Sequence, residues 1–161
     1  MIGYWNVRTL RDTDNTAPVM NAKYMQVVRE MQRYGISILG LSEVRWTGSG
    51  EYSSPSNRTV MLYSGKELGS NHESGVGIML TTSSRKSLMN WKPITDRLIL
   101  ASFASKVRNI SVIQCYAPTD GANDDVKNLF YSQLNATYDT IPRGDIVLVM
   151  GDLNDKVGSE N

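Results

Sequence analysis

Ile146-Val147-Leu148-Val149-Met150-Gly151-Asp152-Leu153-Asn154 is the stretch on which the reading of this chain turns. Five consecutive apolar residues predict a central strand covered on both faces, and the polar residues after it place chemistry at its end. Working backwards, Asn123–Tyr138 reads as an amphipathic helix with Val126, Leu129, Phe130, Leu134 and Tyr138 inward. Before it, Ile110–Tyr116, Leu98–Phe103, Gly77–Leu80 and Val60–Tyr63 are short apolar runs separated by Gly, Ser, Asn and Lys/Arg turns. Ile36–Val44 is a longer β-branched run. An earlier helix is predicted from Thr16-Ala17-Pro18, an N-cap followed by an early-turn proline. It carries Met20, Tyr24, Val27, Val28 and Met31 on one face and ends at Gly35, where a left-handed cap is expected. Ile2–Val7 is the first strand. A strand, a helix, a meander of strands, a second helix and a last strand argue for a layered α/β domain.

Composition agrees with one globular unit. The chain has 161 residues, of which 40% are hydrophobic and 20% charged, and no repeat or long linker divides it. Cys115 is the sole cysteine, which excludes an internal disulfide framework and a Cys-rich zinc site and fits a reducing compartment. The balance of 17 Lys+Arg against 16 Asp+Glu excludes a surface that coats nucleic acid by charge alone, while leaving room for a focused site. No apolar run reaches the length of a membrane span, and no signal-like segment opens the chain. The expected location is therefore nuclear or cytoplasmic, without secretion or membrane insertion.

Four apolar runs end in similar chemistry: Tyr4-Trp5 at Asn6, Ile38–Ser42 at Glu43, Val112–Cys115 at Tyr116-Ala117-Pro118, and Val147–Met150 at Gly151-Asp152-Leu153-Asn154. Strand carboxyl ends converge on one rim in open α/β sheets, so Asn6, Glu43, Tyr116, Asp152 and Asn154 are expected to meet. This oxygen-rich set without His or Cys suits Mg²⁺ or Mn²⁺ and is poor for zinc. The chemistry it suggests is phosphoester hydrolysis. Asp152 and Asn154, at i and i+2, can both face the rim only while the chain stays extended through Leu153.

Trp5-Asn6-Val7-Arg8-Thr9-Leu10, Leu41-Ser42-Glu43-Val44-Arg45-Trp46, Ser74-Gly75-Val76-Gly77-Ile78, Gln114-Cys115-Tyr116-Ala117-Pro118-Thr119 and Gly151-Asp152-Leu153-Asn154 resemble, in order, the successive motifs of the endonuclease/exonuclease/phosphatase superfamily. The wording is most similar to the apurinic-type endonuclease domain of RTE-class non-LTR retrotransposons and their host-encoded craniofacial-development-protein relatives, and the resemblance runs from Ile2 to Gly158. It implies part of a four-layer α/β sandwich with mixed sheets and flanking helices. It implies Mg²⁺-dependent cleavage of DNA, with Glu43 as main carboxylate ligand and Asn6 beside it. Asp152 would orient the attacking water, Asn154 would contact the scissile phosphate, and Tyr116 would bond that phosphate or the leaving group. Arg8, Arg45 and Trp46 are placed to grip flanking phosphates and stack on a base or sugar.

Each motif alone has a plainer reading. Gly151–Asn154 can be a turn after a buried strand, Glu43 a surface carboxylate paired with Arg45, and Tyr116-Ala117-Pro118 a strand terminus. A calcium loop at Asp152 fails because Lys156 and Val157 stand where an oxygen ligand and Gly are required. Cys115 is expected in the core, and His72 in a solvated turn.

The superfamily's later motifs, ending in an Asp-His pair, have no counterpart before Asn161. The expectation is a single C-terminally incomplete domain over residues 1–161, with the second sheet largely missing, an exposed sheet face that self-associates or binds the absent half, and weak or no cleavage. The alternatives are a catalytically dead binding or scaffold domain and a phosphatase of the same superfamily.

Overall fold

Alternation along the strands sorts the core side chains into three layers, held between two sheets and two flanking helices. The computed structural model describes residues 1–12, 18, 21–54, 56 and 58–154. β1 (Ile2–Asn6), β2 (Ile38–Ser42), β3 (Ser49–Ser54), β4 (Thr59–Ser64) and β5 (Val76–Thr81) make one sheet, in the order β1-β2-β5-β4-β3. β6 (Leu88–Thr95), β7 (Leu98–Phe103), β8 (Ile110–Tyr116) and β9 (Ile146–Asp152) make a second sheet in sequence order. β1 pairs parallel with β2 through the crossover helix α1 (Ala22–Arg33), and β8 pairs parallel with β9 through α3 (Asp124–Asp139). The remaining pairs are antiparallel. A six-residue helix, α2 (Thr82–Ser87), links the sheets.

One set of alternate residues, Ile38, Leu62, Val76, Ile78 and Leu80, faces Ile99, Ala101, Phe103 and Val112 of the other sheet and fills the space between them. The opposite set, Leu39, Leu41, Met61 and Met79, packs under Tyr24, Val27, Val28 and Met31 of α1. Leu98, Leu100, Ile113 and Cys115 pack under Phe130 and Leu134 of α3. Each sheet thus has one face for its partner and one for a helix, the packing that period-2 strands and period-3.6 helices permit.

Gly35 ends α1 as its position predicts. It adopts φ +62 and donates to the Gln32 carbonyl at 3.1 Å, while the Ile36 N–H reaches the Met31 carbonyl at 2.9 Å. This crossed pair of bonds is the Schellman arrangement, and Ile36 packs back on the core under the helix. The start of α1 differs from expectation. Asn21 is the N-cap, accepting from the Tyr24 N–H at 2.9 Å, and Thr16-Ala17 and Met20 lie outside the described residues.

The second sheet, expected to be largely missing, has four strands among the described residues, running from Leu88 to Asp152. The Ile146–Met150 run was expected as a central strand, yet β9 is an edge: among the described residues it pairs with β8 alone, and Ile146 and Val149 are 43% and 46% exposed. Exposure also corrects the face of α3. Phe130 and Thr137 are buried and Leu134 partly so, whereas Val126, Leu129 and Tyr138 are exposed. The inward stripe follows residues 130, 134, 137 and 141, placing Leu129 and Tyr138 off it and Val126 in the first turn. The sequence reading missed β3 and β6, both sheet edges of weak apolar pattern. β6 tolerates Pro93 because an edge strand has one side free of ladder bonds.

Candidate functional site

Between the sheets, side chains change from apolar to polar along four strands toward one rim. On β2 the inward series is Ile38, Gly40, Ser42; on β8 it is Val112, Gln114, Tyr116; on β9 it is Leu148, Met150, Asp152; on β1 it is Ile2, Tyr4, Asn6. The polar end of this layer is the rim read from the sequence.

Glu43 stands at its centre. By strand parity it would follow Leu41 toward α1, but its backbone turns left-handed, φ 56, and its carboxylate enters the rim. There Oε1 accepts from Asn6 Nδ2 at 2.9 Å and from the Tyr116 hydroxyl at 3.1 Å, and Oε2 accepts from the Arg45 guanidinium at 3.1 Å. Burial pushes the Glu43 carboxyl up, and the three donors outweigh it, so its pKa lies below the usual 4.5. Arg8, Arg45 and Asn154 are left-handed as well, with φ of 57, 60 and 46. Such backbone at non-glycine residues is costly and gathers where geometry serves function. The segment after Glu43 is fixed from both sides: Leu10 N–H donates to the Val44 carbonyl, while Val44 and Arg45 donate to the Gly75 and Ser74 carbonyls.

Asp152 ends β9 opposite Tyr116 in register. Gly151 before it has φ +136, and a Cβ there would lie 1.8 Å from the Cys115 carbonyl oxygen, so glycine is required for β9 to approach β8. The chain does not stay extended to Asn154. It closes into an Asx turn, with Asn154 N–H donating to Asp152 Oδ1 at 2.9 Å and Asn154 Nδ2 donating to the Ala117 carbonyl at 2.7 Å. The Tyr116 phenol is raised above 10.0 by burial first and then by Glu43 and Asp152, with Arg97 opposing, so it remains a donor at neutral pH. The sequence reading missed Arg97, which lies 5.0 Å over the Tyr116 ring and donates to the Tyr116 carbonyl at 3.1 Å. No motif marked it, because its place depends on the β6–β7 turn.

Of the residues expected to touch substrate, Arg8 is exposed and Arg45 pairs with Glu43. Trp46 is a correction: it is 2% exposed, stacked on Tyr24 at 6.2 Å with Tyr52 and Tyr63 edge-on, and offers no ring face to a ligand. Strand-end position alone does not distinguish an aromatic that folds under a loop from one that points out. His72 does more than sit in a turn, since its Nδ1 lies 3.1 Å from the Arg45 carbonyl and braces the loop after Glu43. Cys115 is fully buried, and burial together with Asp152 pushes its thiol up to about 11.

The donor set fits a hard divalent cation. Among the described residues no three His, Cys, Asp or Glu gather at one point. A single carboxylate, Glu43, with the Asn6 amide beside it suits an ion such as Mg²⁺ that takes one or two carboxylates and keeps its remaining waters.

No family model matches the chain. It is 36% identical over 160 residues to craniofacial development protein 2 of Bos taurus, covering 99% of this chain and 25% of that protein, so it spans about a quarter of the length of the curated relatives it matches. An AP endonuclease from Archaeoglobus fulgidus superposes with a TM-score of 0.65 at 18% identity, over 95% of this chain and 56% of that one. An endonuclease/exonuclease/phosphatase family protein from Leptotrichia buccalis superposes with a TM-score of 0.57 at 12% identity, over 95% of this chain and 66% of that one.

Proposed function

Because this chain has the fold of the endonuclease/exonuclease/phosphatase superfamily, we propose that it is a Mg²⁺-dependent hydrolase of DNA phosphodiesters, of retrotransposon-endonuclease descent. The observation that carries the reading is the Glu43 carboxylate, held ionised by Asn6, Tyr116 and Arg45 at the strand ends where Asp152 also arrives.

Glu43 and Asn6 would hold the ion, which when bound neutralises charge on the non-bridging oxygens of the scissile phosphate. Asp152 orients the attacking water and takes its proton. Asn154 keeps one amide N–H for a phosphate oxygen while the other holds Ala117, and Tyr116 turns its one O–H from Glu43 to the phosphate or leaving oxygen when substrate is bound. Arg97 adds positive charge behind Tyr116, and exposed Arg8 meets the flanking backbone. A cleft of about 760 Å³ lined by Arg11, Thr47, Ser49, Asn71 and His72 gives the strand a path beside the loop that follows Glu43. The one histidine braces that loop instead of serving the phosphate, so slow turnover is expected.

Nicking of supercoiled plasmid tests the reading. The expected result is slow nicking with Mg²⁺, none with chelator, and none in Glu43→Gln. Nicking indifferent to chelator or to Glu43→Gln overturns it. DNA binding with neither Mg²⁺ binding nor nicking assigns the chain to the scaffold reading instead.

A further inference from the structure

Directly beneath Glu43 and Tyr116 the inter-sheet layer holds an amide where an apolar side chain would pack. Gln114, fully buried, donates from Nε2 to Ser42 Oγ at 3.1 Å and to the Cys115 carbonyl at 3.4 Å. Ser42 in turn donates to the same Cys115 carbonyl at 3.4 Å. The bonds run from the residue before Glu43 on one sheet to the residue before Tyr116 on the other. Since Cys115 O can only accept, it fixes which end of the amide carries the nitrogen. Gln114 Oε1 is then left without a partner, turned toward Gly40, where a Cβ would stand 2.1 Å away. A buried acceptor with no partner costs stability, and Leu or Met would fill this volume without that cost. Packing therefore does not account for Gln114.

We infer that Gln114 is a positioning residue: through Ser42 it locks the end of β2 to the end of β8, setting the Glu43 carboxylate against Asn6 and the Tyr116 hydroxyl so that both sheets present one preformed site. This rests on the hydrolase reading for its consequence in turnover, but the geometry it describes exists in the metal-free chain. Groups that orient a ligand from behind it are typically worth about 10–100-fold in metal affinity or activity. Gly40 belongs to the same device, because its missing side chain is the room in which the amide lies.

The test uses the full chain with Gln114→Leu, Ser42→Ala and the rescue variant Ser42→Thr, which keeps the hydroxyl. In the metal-free protein, nitrogen-15 NMR follows the Asn6 side-chain amide, whose proton is bonded to Glu43. Calorimetry with MgCl₂ then gives the ion's Kd. Gln114→Leu and Ser42→Ala are expected to shift the Asn6 amide resonance, weaken Mg²⁺ about tenfold and lower kcat with little change in KM for DNA, while Ser42→Thr returns toward wild type. If both variants fold, lose melting temperature, and leave the Asn6 resonance and Mg²⁺ Kd at wild-type values, Gln114 is structural and the inference is overturned. Should Gln114→Leu fail to fold, Ser42→Ala decides by the same readings. A wild-type chain that binds no Mg²⁺ and cuts no DNA defeats the hydrolase reading, while the Asn6 resonance still settles the positioning role.

Discussion

The Tyr116 hydroxyl donates to Glu43 Oε1 across 3.1 Å, and this single bond joins the end of β8 in one sheet to the segment just past β2 in the other. Neither residue alone distinguishes a reactive rim from an ordinary strand terminus. Their meeting, 73 residues apart in sequence, fixes where the two sheets converge.

Glu43→Gln keeps the shape of the side chain and removes its charge. Mg²⁺-induced stabilisation, read as a rise in melting temperature, should vanish, and an unchanged rise would assign the ion elsewhere. The variant also carries a pH signature. Because the folded carboxyl sits below its ordinary 4.5, the stability it contributes is complete above that value and is lost as pH falls through the lowered one. Denaturant unfolding from about pH 6 down to about pH 3 should show the wild-type advantage over Glu43→Gln shrinking toward acid.

Asp152→Asn separates charge from structure. The amide oxygen of Asn still accepts the Asn154 N–H, so the Asx turn and the melting temperature should hold while turnover disappears and DNA binding persists. Parallel loss of binding and cleavage would place Asp152 among the residues that hold the fold.

Tyr116→Phe removes the bond between the sheets' ends without changing ring volume. Turnover is expected to fall about 10–100-fold. The Glu43 carboxyl should titrate nearer its ordinary value, since one of its three donors is gone. Carbon-13 NMR of the labelled carboxyl measures the second effect.

Trp46→Ala should cost about 3–5 kcal/mol, the usual consequence of emptying a large aromatic site in a core. DNA affinity below the melting transition should stay within about twofold, a ratio worth under 1 kcal/mol. A selective loss of DNA binding would show that Trp46 reaches substrate after all.

Among the described residues β9 pairs on one side only, and its Ile146 and Val149 are exposed apolar side chains. Concentration-dependent light scattering is expected from the wild-type chain, and Val149→Lys should suppress it, because a lysine on an edge strand blocks edge-to-edge pairing. A monodisperse wild type at high concentration would refute this.

The layered α/β architecture was legible because continuous apolar runs and a capped helix are local signals: Leu98–Phe103 and Ile110–Tyr116 have the boundaries expected of them, and Gly35 closes α1 where its position says it should. The rim was legible because Asn6, Tyr116 and Asp152 end their strands. What escaped is what neighbours decide. Ser49–Ser54 is a strand because β4 lies beside it, and Ile146–Met150 is an edge because of what pairs with it, neither being a property of the segment. Arg97 lies in no motif, and Gln114 opens one in which nothing sets it apart from its neighbours; their importance comes from a ring and a hydroxyl on distant strands.

Cys115 gives this architecture a built-in clock. It is the chain's sole thiol, it is sealed between β8 and α3, and at neutral pH it is held protonated, so an alkylating reagent can reach it only when that layer parts. The carbonyl of the same residue receives the bonds from Ser42 and Gln114. Pulse alkylation at Cys115 therefore times the breathing of the molecule at the strand that bears Tyr116, without any label being introduced. A ligand that tightens the rim should lengthen the interval between openings.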